Sequence, residues 1–334
     1  MKNKLLLIFL MFALLALPIT AACEAEPEGP IEISYANFGS MQTFLGKGMQ
    51  DWADELERRS EGSVKIVFYP DASLLGPMDM HDGIVSGVAD IGGPCCAYFP
   101  GRYPMFSTLE LPIGMPSGEV ASGVLWDMYQ KFEPEAFDDV KVIYVYTTAP
   151  AHLMTMDPIR SLDDLKDYET RCTAAGVPIM EAWGAIPVAM PHGEVYDALA
   201  KGIIEGNYTA TDSLQVARYG ELINYITRTN GPLSTFAVVM NLETWNSLPG
   251  DIQDIIDDMS HEYSMITGRY ADSDSDAAAQ WSVDEHGVQW ITLSPEELDT
   301  WFSLLQPIID AWLNDMEDKG LPGQEWLDEA YRLK

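Results

Sequence analysis

From Pro249 to about Glu285 the chain has no further proline, and beyond Gly250 only Gly268 interrupts a run of helix-compatible residues. Ile252, Ile255, Ile256, Met259, Tyr263, Ile266 and Tyr270 recur at three- and four-residue intervals, the spacing of one helix face. Helices in compact domains average about 11–12 residues. A helix through the whole segment outgrows one small core, so the pattern predicts two bodies bridged by a single helix. The competing reading is two helices broken at Gly268. Chain length points the same way, because 334 residues exceed what one hydrophobic core usually fills.

Upstream, strand and helix patterns alternate. Ile31, Ile33 and Tyr35 have the period of two of a half-buried strand, and Leu45, Met49, Trp52 and Leu56 then follow a helical period. Val64 to Tyr69, Ala89 to Gly92 and Val140 to Thr147 read as strands, and Ser117 as the N-cap of a helix carrying Val120, Val124 and Met128. Ser161-Leu162-Asp163-Asp164 has the form of a capping box with Asp in the Glu position. Strands near 170–173, 188–190 and 203–208 alternate with helices over 178–183 and 194–201. Such alternation predicts an α/β fold with parallel-type sheets.

The first residues specify a destination. Lys2 and Lys4 precede an apolar run from Leu5 to Leu17, and Ala21-Ala22-Cys23 follows a break at Pro18. This is the layout of a secretory signal, and the run is shorter than the about 20 apolar residues a membrane span needs. Residues 1–22 are therefore read as a signal peptide. Cys23 after two alanines is similar to a lipoprotein box, although Thr20 stands where such boxes carry Leu. Residues 23–30, acidic and proline-containing, read as a tether behind a lipidated Cys23, so the protein is expected in the periplasm, anchored to the membrane by lipid.

Charge and motif content exclude several function classes. With 19 basic against 52 acidic residues the formal charge is −33, the opposite of a nucleic-acid binder. The acidity is dispersed, which suits a salt-adapted source as well as an ordinary acidic exported protein. Cys95, Cys96 and Cys172 show no CxxC spacing, so no zinc site is expected. They are either three buried free thiols or include one bridge to Cys172. Asp272, Asp274 and Asp276 resemble the start of a calcium loop, but Ala277 occupies the position that needs Gly, which favours a solvated acidic helix face. No nucleophile elbow, HExxH, P-loop or GxGxxG is present. A lyase or hydrolase would need a clustered acid, base and nucleophile, so an enzyme is not expected, nor a cofactor.

Several segments together resemble one family. They include Glu61-Gly62-Ser63-Val64-Lys65-Ile66, Gly83 to Gly92, Tyr98-Phe99-Pro100-Gly101, Ile159 to Lys166 with Glu169-Thr170-Arg171, Gly184 to Met190, Glu194 to Gly206, and Asn241 to Pro249. Their order and spacing resemble the binding proteins of tripartite ATP-independent periplasmic (TRAP) transporters, DctP type. The resemblance implies a two-lobed periplasmic binding protein fold with hinge strands and a long lobe-spanning helix. Lobe I would comprise 31–149 plus about 236–270, and lobe II 150–235 plus about 271–334. It also implies a membrane permease as partner, uptake driven by an ion gradient, and a small organic carboxylate as ligand.

The family's ligand arginine falls on Arg171, whose fork would hold a carboxylate by two parallel hydrogen bonds. Asn207 is expected to hold the same carboxylate or an adjacent group. The acidic residue that some relatives use with a metal is missing after Asn207, where Tyr208 stands, so no metal is expected. Phe38, Tyr98 and Trp183 are candidates for an aromatic wall, each also suited to a core. The aromatic residues favour a ligand with an apolar or aromatic body. An ectoine-like zwitterionic osmolyte and a ligand-sensing subunit of a signalling receptor are the alternatives.

Overall fold

The two most apolar strand patterns, Val64–Tyr69 (β2) and Val140–Thr147 (β4), form strands with the expected bounds and belong to the same sheet. The structure, a computed structural model, describes residues 29–99 and 101–334. Residues 1–22, read above as a signal peptide, Cys23 and all but the last two residues of the expected tether lie outside the described residues.

The first sheet runs β2-β1-β3-β10-β4, with β1 at Ile31–Ala36, β3 at Ile91–Gly92 and β10 at Thr235–Asn241. The second runs β11-β9-β5-β8-β6-β7. Its strands are Ala151–Thr155 (β5), Glu169–Cys172 (β6), Ile186–Ala189 (β7), Gly206–Thr209 (β8), Tyr225–Gly231 (β9) and Gln289–Thr292 (β11). Each sheet is the centre of one lobe.

Neither sheet is purely parallel, contrary to the expectation from alternating patterns. β10 pairs antiparallel with β3 and β4, and β5 pairs antiparallel with β8 and β9. The reversed strands flank the crossings between lobes, β4 to β5 and β9 to β10. A strand that returns from the other lobe enters its sheet from the opposite end. The crossings are tied together: Thr148 N–H donates to the Ser234 carbonyl at 3.0 Å, and Ser234 N–H to Thr148 Oγ1 at 3.0 Å.

The long helix is continuous from Gly250 to His286, 37 residues, or about 55 Å at 1.5 Å per residue. Ile252, Ile256, Met259 and Tyr263 pack into the first-lobe core, and Ala278 and Ala279 into the second. Gly268 does not break it. A Cβ there would lie 2.4 Å from the Gly118 carbonyl oxygen and 2.4 Å from Ser122 Oγ. The glycine lets the long helix touch the helix Gly118–Phe132. Asp272, one turn on, accepts from the N–H groups of Gly118 and Glu119 at 2.7 and 2.9 Å. Ser117 Oγ caps the same helix end by accepting from Val120 N–H. Asp274 pairs with Lys47 at 2.5 Å, so two of the three regularly spaced aspartates serve packing between helices.

One boundary differs from expectation. The expected division gives residues 271–334 to the second lobe, but helices Gln306–Asp318 and Gly323–Leu333 bury Ile309, Met316, Trp326, Leu327 and Ala330 in the first-lobe core. Trp312 Nε1 donates to Ser107 Oγ at 2.7 Å, and Lys334 Nζ to the Ile113 carbonyl at 2.8 Å. The chain thus returns to the first lobe after Pro295–Ser303, whose Trp301 belongs to the second-lobe core.

Candidate functional site

Side chains alternate across β6, so Cys172 enters the second-lobe core while Arg171 takes the opposite face. Register places Arg171 between Val188 of β7 and Asn207 of β8. Only 1% of Arg171 is exposed, and it lines a cleft of about 220 Å³ with residues of both lobes. Its Nε and Nη2 donate to the Met190 carbonyl at 3.0 and 2.8 Å, and Nη1 donates to Asn207 Oδ1 at 3.3 Å. Each terminal nitrogen keeps one further N–H, and the Tyr98 hydroxyl across the cleft is near enough to compete for one of them. Among the described residues no carboxylate forms an ion pair with Arg171.

Asn207 is fully buried behind the guanidinium rather than on the cleft wall. Because Oδ1 faces Arg171, Nδ2 must point elsewhere, and it is a buried donor with no partner among the described residues.

The opposite wall is aromatic. Phe38 and Tyr98 lie 6.3 Å apart between ring centroids, and Phe38 stacks on Phe236 at 6.4 Å. Phe236 is backed by Tyr146 at 4.9 Å and meets the edge of Phe44. Phe38 and Tyr98 therefore stand at the cleft with Arg171. Trp183 is elsewhere: it is buried in the second-lobe core against Trp301 and Tyr208, with Nε1 donating to the Trp301 carbonyl. Its helix, Val177–Ala182, lies over the sheet and turns this face inward. Cys95, Cys96 and Cys172 are buried free thiols, and burial pushes the Cys95 thiol well up.

Phe44, Phe236, His192 and Asp212 line the cleft without having been singled out by sequence. Phe44 and Phe236 sit in ordinary apolar patterns, and nothing local separates a cleft aromatic from a core one. His192 N–H donates to Tyr98 Oη at 3.2 Å, a bond from one lobe to the other. Burial and then the Arg171 charge pull the His192 imidazole down to about 3, so it is neutral. Asp212 is raised to about 7 by burial and then by Asp274.

A larger cavity, about 460 Å³, lies between the helix Val177–Ala182 and the helix Gln306–Asp318. Its lining is mostly apolar and contains no cationic side chain. An anion has nothing to hold it there, so the smaller cleft is the candidate site.

Comparison with known proteins identifies the family and the fold. A model of bacterial extracellular solute-binding proteins, family 7 (DctP), matches residues 35–315. A TRAP periplasmic solute-binding protein from Desulfovibrio salexigens is 35% identical, with TM-score 0.83 over 91% of this chain and 96% of that one. That protein was solved as an open complex with the C-terminus of a symmetry mate in its ligand-binding site. A TRAP solute-binding protein from Rhodoferax ferrireducens, in complex with copurified benzoate, is 27% identical, with TM-score 0.86 over 91% and 97% of the two chains. The C4-dicarboxylate-binding periplasmic protein DctP of Rhodobacter capsulatus is 24% identical over 304 residues, 89% of each chain. This chain belongs to the DctP family of extracellular solute-binding proteins, the binding component of TRAP transporters.

Proposed function

We propose that this protein captures a small monocarboxylate with a flat apolar body between its lobes and delivers it to a membrane permease. The observation that carries the reading is Arg171, a buried cation without an anionic partner. An unpaired buried charge is costly, and a carboxylate on the N–H groups that face the cleft removes that cost. Asn207 fixes the guanidinium's rotation from behind the cleft wall. The Phe38, Tyr98 and Phe236 rings suit a planar hydrocarbon better than a sugar. The benzoate complex of the Rhodoferax relative supports the same class.

A thermal-shift screen of the purified protein against small carboxylates tests this. A ligand at 100 times its dissociation constant adds about 2.7 kcal/mol, so benzoate-like acids should raise the melting temperature clearly and uncharged sugars should not. A screen in which no carboxylate stabilises the protein would sink the reading.

We also propose that Cys23 is the mature N-terminus and carries lipid, which keeps the binding protein at the membrane surface beside its permease. Mass spectrometry of the native protein should find the lipid adduct on Cys23. An unmodified chain in the soluble periplasmic fraction would refute it.

A further inference from the structure

The cleft is lined by one cation, Arg171, and one acid, Asp212, and neither has an ion-pair partner among the described residues. Asp212 lies on its wall at the start of the short helix Ser213–Val216. The backbone N–H groups of Asp212 and Ser213 are the nearest donors to its carboxylate, and it makes no ion pair among the described residues. Lys47, which could have neutralised this region, is spent on Asp274. Arg171 on β6 and Asp212 in the loop after β8 do not pair, because Arg171 is turned toward Met190 and Asn207. The remaining titratable groups on the wall are Tyr98, Cys95 and His192, none of which carries charge near neutrality.

Charge counting then narrows the ligand. One carboxylate satisfies Arg171. A second carboxylate finds no second cation and meets Asp212. A hydroxyl or an ammonium finds in Asp212 an acceptor that no side chain engages among the described residues. Burying a polar group unpaired is the costly alternative, and a site built to accept a hydrogen bond discriminates against ligands that lack the donor.

We infer that Asp212 is a specificity-determining residue: it accepts a hydrogen bond from a hydroxyl or ammonium group of the bound carboxylate and excludes dicarboxylates. This rests on Arg171 as the carboxylate anchor. Burial first and Asp274 second raise Asp212 to about 7, against the opposing pull of the Asp212 and Ser213 backbone N–H groups. Binding of a donor should draw it back toward the ordinary carboxylate range and so release protons near pH 7.

Calorimetry with four probes tests the assignment: benzoate, 3-hydroxybenzoate, 3-(aminomethyl)benzoate and benzene-1,3-dicarboxylate. The parent should bind at least one donor-bearing acid about tenfold or more tighter than benzoate, with no measurable binding of the dicarboxylate. Asp212→Ala should bring the donor-bearing acid within about threefold of benzoate. Asp212→Asn separates the two donors, because an amide oxygen still accepts from a hydroxyl but offers no charge to an ammonium. A parent that prefers benzoate or the dicarboxylate overturns the inference, and so does an Asp212→Ala variant with the parent's ratios. Arg171→Ala is run beside it. If that variant loses all binding while Asp212→Ala keeps the parent's ratios, only the Asp212 assignment falls. If Arg171→Ala binds normally, or no probe binds the parent, the anchor reading falls as well. Melting curves of each variant confirm that the ratios come from folded protein.

Discussion

Arg171→Ala should weaken binding of the best carboxylate from the screen by about thirtyfold or more. Truncating one partner of a buried charged hydrogen-bonded pair costs roughly 2–5 kcal/mol, and each 1.4 kcal/mol is about a factor of ten. Arg171→Lys should fail nearly as badly. The guanidinium serves three directions at once: the Met190 carbonyl, Asn207 Oδ1 and the cleft. An ammonium on a flexible stem reproduces the charge but not that fork. Stability should change much less than affinity. Removing the side chain strands two acceptors, Met190 O and Asn207 Oδ1, yet it also removes a desolvated charge that the unliganded protein does not pair. Calorimetry decides: affinity within about threefold of the parent would place the carboxylate elsewhere.

The second large effect belongs to the helix crossing. Gly268→Val should destabilise the protein by about 3 kcal/mol, because overpacking a close contact typically costs 1–3 kcal/mol and this one involves backbone. A Cβ at residue 268 would sit 2.4 Å from the Gly118 oxygen and 2.8 Å from its carbonyl carbon. Neither can rotate away, so the long helix must separate from the helix Gly118–Phe132. That separation strains the hydrogen bonds from Gly118 and Glu119 to Asp272. Gly250→Ala is the internal control: it lies in the same helix, a Cβ there would meet nothing within 4 Å, and the change should move stability by no more than about 1 kcal/mol. Thermal denaturation followed by circular dichroism compares them. Equal melting temperatures for the two variants would mean that the crossing has room the contact distances deny.

Local pattern carried the elements whose environment is uniform along their length. The 37-residue helix was legible because its apolar residues keep one face over many turns. β2 and β4 were legible because their runs are strongly apolar, and the helix end at Ser117 because an N-cap is a local contact. Arg171 is a different case. By residue type it is one arginine in an acidic chain, and only the resemblance of the segments around it pointed to the cleft. Its buried, unpaired state is a property of β6, β7 and β8 lying side by side.

Tertiary structure decided the rest. Trp183 and Phe236 are both large aromatics in apolar surroundings, yet one packs under Trp301 and the other faces the cleft. Asp212 reads locally as a turn residue, and its significance comes from Arg171, some forty positions upstream, being committed to other partners. β5, β9, β10 and β11 have no counterpart in the pattern-based expectation, and the antiparallel pairing of the first three follows from where the chain crosses between lobes. The last two helices returned to the first lobe because its core, not their own sequence, offered the complementary apolar surface. Periodicity records which side of an element avoids water. It does not record which other element supplies the covering surface, and a cleft is the place where that surface is left for a ligand.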